Sequence, residues 1–335
     1  MKPFARDVAS WLLDMVPGAA SIGRAADRLF IATFHRVLPA SQLDEYPLPG
    51  LAVTPSQFEW YVRFFARYFD CVRLDDAWDR LVSREKRAKP LLAVTFDDGQ
   101  LDNYLHAAPV LKMHRIAATF FVPVEAVQTG SLLWHDRMAY AARALTSHYE
   151  HASLLAELGV EGDTSRDMPR TGVRNAKHWS HDRRLDWIRR AELAVPNAIP
   201  EWDGMMNWTQ LLELVGEGHE IGSHSFSHVL LDQCDAPALG VEIASSRKIL
   251  QEALGQEILS FCYPNGNTDA RVASLVEVAG YKVGVTTSWG SNTAGSSPFL
   301  LKRHDMVSSN SMNRHGELSE RRLRQRMLGY VRGAS

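Results

Sequence analysis

Two adjacent carboxylates, Asp97 and Asp98, end the apolar run Leu91-Leu92-Ala93-Val94-Thr95-Phe96 and precede Gly99. Like charges a few ångströms apart disfavour joint ionisation. A metal ion removes that cost by holding one carboxylate ionised and leaving the other free as a base. A second set of candidate ligands lies far downstream, in His224-Ser225-Phe226-Ser227-His228. Histidines four apart share a face on a helical turn, and His-x3-His is a frequent two-ligand arrangement for zinc. A carboxylate then completes three protein ligands beside an open position. Such a metal lowers the pKa of water to ~7 and polarises a carbonyl. The remaining carboxylate takes the water's proton, and a second acid protonates the leaving group. The chemistry is metal-dependent hydrolysis. Each half also has a structural reading: Asp-Asp-Gly suits a turn, and one such histidine pair is unsurprising among 13 histidines. Their joint placement after apparent strands, where α/β folds put their sites, favours chemistry.

The elements that must position these groups alternate as βα units do. Strands are expected at Phe30–Phe34, Leu91–Phe96, Ile116–Val122, His219–Ser223, Leu259–Tyr263 and, as the last clear one, Tyr281–Thr287. Helical patterns cover Phe58–Phe69 after Thr54-Pro55-Ser56, Leu101–Met113 and Val241–Leu254. Asn207 with Gln210 forms a capping box for a helix that stops near Gly216. Between Glu125 and Gly204 the pattern changes: Trp134–Leu158 and Lys177–Leu193 read as helices, and Glu161–Arg174 as a polar loop. This segment, 125–204, is expected as a helical insertion over one end of a single α/β domain spanning 1–335.

Bulk composition is that of an ordinary globular protein, 45% hydrophobic and 23% charged. A net charge of −2 gives no reason to expect a nucleic-acid partner. Three widely spaced cysteines, Cys71, Cys234 and Cys262, form no CxxC, so a reducing compartment fits best. Asp14 and Pro17 cut the apolar run Trp11-Leu12-Leu13 too short for a secretory signal, and no stretch approaches the ~20 apolar residues of a membrane span. A cytoplasmic location follows as the expectation.

Thr95-Phe96-Asp97-Asp98-Gly99 resembles the first motif of the polysaccharide deacetylase family (NodB-homology, carbohydrate esterase family 4). His224-Ser225-Phe226-Ser227-His228 resembles its second motif, and Phe261-Cys262-Tyr263-Pro264-Asn265-Gly266 its third. The matches run from about Pro90 to Val124 and from Met205 to Arg303. The resemblance implies a distorted (β/α) barrel and removal of an N-acetyl group from a sugar. It implies Asp97 as general base, with Asp98, His224 and His228 holding the metal, zinc or another divalent ion. The backbone N–H of Asn265, after Tyr263 and Pro264, would bind the oxyanion.

The sequence departs from the family pattern where an arginine usually orients the base: here that position is Cys262, read as a small buried residue. The later aspartate–tryptophan motif and the C-terminal leucine–histidine strand are not recognisable. Ile31-Ala32-Thr33-Phe34-His35-Arg36-Val37 looks like that strand moved to the N-terminus. This order resembles the circularly permuted branch that includes biofilm poly-N-acetylglucosamine deacetylases, and assigns the general acid to His35, with His304 as rival. Arg303 is the candidate to orient Asp97. The expected substrate is an acetylated amino-sugar glycan or lipid-linked sugar intermediate of exopolysaccharide, capsule or lipopolysaccharide assembly. The alternatives are hydrolysis of a formamide or O-acetyl group, or a non-catalytic glycan-binding barrel. In the basic tail 321–335, Arg321 to Arg332 carries five arginines with Leu323, Met327 and Tyr330 at helical spacing. It reads either as a peripheral contact with the inner membrane face or as a terminal helix packed on the barrel.

Overall fold

A computed structural model of the chain describes residues 22–163 and 165–329. The run Trp11-Leu12-Leu13 and, in the basic tail, Tyr330 and Arg332 lie outside the described residues. Seven parallel strands form a closed ring: β1 (Leu29–Phe34), β2 (Leu91–Phe96), β3 (Ala118–Val122), β4 (Glu220–Ser223), β5 (Ser260–Cys262), β6 (Val283–Trp289) and β7 (Leu301–Asp305). Each strand pairs with its neighbours in chain order, and β1 closes the ring. It pairs with β2 from Leu29↔Leu91 to Phe34↔Phe96 and with β7 at Ala32↔His304 and Thr33↔Asp305.

Strands buried on both faces read as continuous apolar runs, which is why β1, β2 and β3 are fully buried. Their alternate side chains divide between two cores. Leu29, Ile31, Leu91, Ala93, Phe121, Cys262, Val283, Val285 and Leu301 fill the barrel. They pack with Leu74, Ala77, Trp78 and Leu81 of the helix Leu74–Val82, which closes the end away from the site. That helix starts on Glu220: its Oε2 accepts from Leu74 N (3.1 Å), Asp75 N (3.3 Å) and Thr119 Oγ1 (2.6 Å), and its Oε1 from Ser260 Oγ (2.5 Å). The opposite faces of the strands, with Phe30, Phe34, Phe96, Phe120 and Phe261, pack under the surrounding helices. The expected capping box of Asn207 with Gln210 is present, and Thr54 forms a second one with Gln57.

Several expectations need correction. β7 carries Leu301-Lys302-Arg303-His304-Asp305, too polar to register as a strand by hydrophobic periodicity, yet it completes the barrel. The expected helix Trp134–Leu158 is broken into Trp134–Leu145 and Ala152–Glu157. The expected polar loop 161–174 leads into a helix, Met168–Ala176, whose Met168, Val173 and Ala176 are buried. With His181–Ala194, these helices form a second apolar cluster that includes Trp187 and Ile188 and also holds Leu38, Tyr46, Leu48 and Ala52. The C-terminal helix Glu320–Met327 buries Leu323 and Met327 in the main core, as the packed reading of this segment expects. Arg326 lies over the Trp289 ring, 4.1 Å from its centroid. Among the described residues no helix is long and apolar enough to cross a membrane, and all three cysteines are free thiols.

Candidate active site

The turn after β2 sets Asp97 and Asp98 at the C-terminal mouth of the barrel. Asp98 and Gly99 both take left-handed backbone, at φ 74° and 71°. Aspartate tolerates that region better than most residues. At Gly99 a side chain would add a second cost, because its Cβ would lie 3.1 Å from Val122 Cγ1.

His224 follows β4 directly. Its Nδ1 lies 2.8 Å from the Cys262 carbonyl oxygen, which makes Nδ1–H the donor and turns Nε2 toward Asp98 Oδ1, 3.4 Å away. His228 Nε2 lies 3.2 Å from the same oxygen. The two imidazoles do not share a helical turn, as their spacing suggested. They sit on a loop with left-handed residues at Ser225 (φ 68°) and His228 (φ 57°). Glu242 holds that loop, accepting from Phe226 N (3.0 Å), Ser227 N (2.9 Å) and Ser227 Oγ (2.5 Å). Ser225 Oγ accepts from His228 N at 3.0 Å.

The donor atoms of Asp98, His224 and His228 all lie within 4.8 Å of one another, and all three residues are buried. Burial pushes the Asp98 carboxyl up, but its bonds to His224 and His228 outweigh this and hold it well below the usual carboxylate range. Burial also depresses His228 to about 4, keeping that imidazole neutral. One carboxylate oxygen and two imidazole nitrogens converging on one point fit a divalent cation.

Asp97 faces Arg303 in a two-pronged pair. Nη1 lies 2.7 Å from Oδ1 and Nη2 2.8 Å from Oδ2, while Nε donates to the Thr286 carbonyl at 2.8 Å. The pair is buried, with side chains 3% and 4% exposed. Burial alone would raise the Asp97 carboxyl; the charge and hydrogen bonds of Arg303 reverse this and hold it below its ordinary value. His35 stands on the other side, Nε2 3.8 Å from Asp97 Oδ2 and 25% exposed, so it reaches both the carboxylate and solvent. Its carbonyl accepts from Asn103 Nδ2 at 2.8 Å.

The remaining candidates separate. Pro264-Asn265-Gly266 forms a tight turn after β5, with Asn265 at φ 56° and its side-chain oxygen accepting from the Lys177 ammonium. Tyr263, by contrast, sends its phenol to the Phe299 carbonyl (2.9 Å) in the outer core, so only its backbone belongs to the site. Cys262 is fully buried, its sulfur within 4.8 Å of donor atoms of Asp97 and His224, and burial raises its thiol. His304, next to inward-facing Arg303, points out of the barrel. It lies between Phe30 (centroids 5.5 Å) and Trp289 (4.3 Å), and burial pushes it down to about 3.

Sequence reasoning missed His135 and Asp136. The helix Trp134–Leu145 brings His135 Nε2 to 3.7 Å from Asp98 Oδ2 and 3.5 Å from Asp136 Oδ2. The only available signal was a His-Asp pair at the start of an apolar helix.

A parallel (β/α) barrel here carries a buried aspartate–histidine–histidine cluster and an arginine-held second aspartate at its mouth. The profile of the polysaccharide deacetylase family matches residues 84–284, more than half the chain, and the chain belongs to that family. It is 21% identical over 255 residues to YxkH of Bacillus subtilis (strain 168), described as a candidate polysaccharide deacetylase. The match covers 76% of this chain and 65% of that protein, so the chain spans less than two thirds of this relative. Solved structures share the fold. The Streptococcus pyogenes deacetylase PplD, in complex with acetate, aligns over 90% of this chain and 98% of its own with 18% identity and a TM-score of 0.60. IcaB from Ammonifex degensii aligns over 85% and 94%, with 21% identity and a TM-score of 0.55.

Proposed function

We propose that the chain removes N-acetyl groups from an amino-sugar glycan or lipid-linked sugar intermediate in exopolysaccharide, capsule or lipopolysaccharide assembly. The observation that carries this is the Asp98, His224 and His228 cluster beside an Asp97 that Arg303 keeps ionised, with His35 across from it. Asp98, His224 and His228 would hold the divalent cation, zinc first. When bound, such an ion supplies Lewis acidity, drawing charge from the acetamide carbonyl and lowering the pKa of water toward ~7.

The chain's own residues do the rest. Asp97 takes a proton from the attacking water at Oδ1 or Oδ2, and the Arg303 guanidinium fixes the carboxylate's direction. The Asn265 backbone N–H meets the oxygen that gains charge. His35 gives its Nε2 proton to the departing amine. That β1 precedes β2 in the chain and closes the ring beside β7 supports the circularly permuted reading, because it delivers His35 ahead of the Asp97-Asp98 turn. The free thiols support a reducing, cytoplasmic setting.

Acetate release from N-acetylglucosamine oligomers, measured with metal content for wild type and Asp97→Asn, tests the reading. The expected result is release by wild type and its loss in the variant at unchanged metal content. Stoichiometric zinc without release from any acetylated amino sugar would instead favour a glycan-binding barrel, and release only from formamide or O-acetyl substrates a related hydrolase.

A further inference from the structure

The turn after β2 divides its side chains between two places. Asp97 and Asp98 face the cleft, while Gln100 and Asp102 enter a buried polar cluster under the insertion. Gln100 Nε2 and the Tyr46 hydroxyl each donate to Asp136 at 2.7 Å. Arg36, 2% exposed, pairs with Asp102 and Asp203 at 2.6 Å, and the Tyr140 hydroxyl donates to Asp203 at 2.7 Å. Backbone bonds from Leu101 N to the Gly204 carbonyl (2.9 Å) and from Met206 N to the Gly99 carbonyl (3.0 Å) tie the end of the insertion to the same turn.

One side chain stands between this cluster and the metal-ligand set. His135, 9% exposed, places Nε2 between Asp136 Oδ2 (3.5 Å) and Asp98 Oδ2 (3.7 Å), its ring 5.5 Å from that of His228. Asp98 turns Oδ1 to His224 and His228, so His135 addresses the oxygen that faces away from them. At these separations the contacts are electrostatic and longer than direct hydrogen bonds. Without the imidazole, the Asp98 and Asp136 carboxylates would lose the ring that contacts both, and Asp98 Oδ2 would lose this partner.

We infer that His135 is a positioning residue for Asp98, holding its Oδ2 so that Oδ1 stays turned to His224 and His228, and that the insertion is through it a part of the metal site. This rests on the reading of Asp98, His224 and His228 as the metal ligands. Loss of an outer-shell partner typically weakens metal affinity by about 10–100-fold.

The test is zinc affinity of the full chain, by competition with a chromophoric chelator, for wild type, His135→Ala, His135→Gln and the half-buried control His148→Ala. Circular dichroism checks that each is folded, and His135→Gln carries the comparison if His135→Ala is not. The expected result is a 10–100-fold weaker site in His135→Ala, a smaller loss in His135→Gln, which keeps an N–H donor, and none in His148→Ala. The visible spectrum of the cobalt-loaded form should keep its shape in His135→Ala. Unchanged zinc affinity in both His135 variants would overturn the inference while leaving the metal site standing. An altered cobalt spectrum would overturn it by making His135 a direct ligand. A wild type that binds no zinc would remove the metal reading itself.

Discussion

Replacing Arg303 by alanine should disable the base without touching the substrate. The guanidinium holds both Asp97 oxygens at 2.7 and 2.8 Å in a site from which water is nearly excluded. Taking one partner from a buried ion pair costs about 3–5 kcal/mol, because the other charge is left uncompensated. A domain in the middle of the usual ~5–15 kcal/mol range survives that at 25 °C, and the variant is assayed once circular dichroism shows it folded. A freed Asp97 also loses its direction toward the water, and a misplacement of about 1 Å costs roughly 100-fold in rate. Acetate-release kinetics should therefore show kcat down by about two orders of magnitude or more with KM little changed. Arg303→Lys should fall between, since lysine keeps the charge but not the fork. Asp97→Asn with Arg303→Ala should be no slower than Asp97→Asn alone, because the two act as a unit. The pH profile adds a sign. Asp97 lies below its ordinary value in the wild type, so it stays ionised, and contributes both activity and stability, down through the acid range until pH falls past its folded value. In Arg303→Ala burial is opposed only by the weaker influence of His224 and His35, so the acid limb of kcat should move to higher pH. A folded Arg303→Ala with wild-type kcat, or strictly additive losses in the double variant, would refute the assignment.

Further outcomes follow from the same geometry. His35→Ala should lower kcat by about 100- to 10,000-fold, the usual range for a lost proton donor, whereas His304→Ala should lower the melting temperature and leave turnover largely intact. Chelator-treated protein should lose activity and regain it with zinc, and His224→Ala or His228→Ala should fail to regain it, read by metal analysis beside acetate release. Glu220→Leu should destabilise by at least ~3 kcal/mol in denaturant unfolding, because several buried donors at the closed end of the barrel lose their acceptor. Leu323→Ala should cost about 2–5 kcal/mol as a buried cavity, with no change in sedimentation with anionic liposomes.

The apolar strands were legible because burial on both faces leaves an unbroken hydrophobic run, as in Leu91–Phe96 and Ala118–Val122. The positions of Asp97, Asp98 and His224 followed from those runs, since each stands immediately after a strand. The geometry of His228 did not. Its approach to Asp98 depends on left-handed backbone at two non-glycine residues and on Glu242, 14 positions along the chain, accepting from the loop's backbone. Local spacing carries no trace of such a contact. The helical insertion was visible as a change of pattern, but its Met168–Ala176 helix was masked by the charged residues on its exposed side.

β7 shows why the least legible strand bears on the function most directly. Its inward position at the mouth must carry a cation for Asp97, and its outward position carries a histidine wedged between Phe30 and Trp289. A strand so committed has little hydrophobic pattern left to announce it. Cys262 and Arg303 are then one observation: the barrel position from which an arginine usually reaches the base holds a small buried thiol, and the guanidinium arrives from β7 instead. Moving the cation to another strand requires that its old place be vacated by a small side chain. Cys262→Arg should therefore not strengthen the base. It would bring a second guanidinium into the space beside Asp97 and His224, and both kcat and the melting temperature should fall; a variant as active and as stable as wild type would show that the two positions are independent.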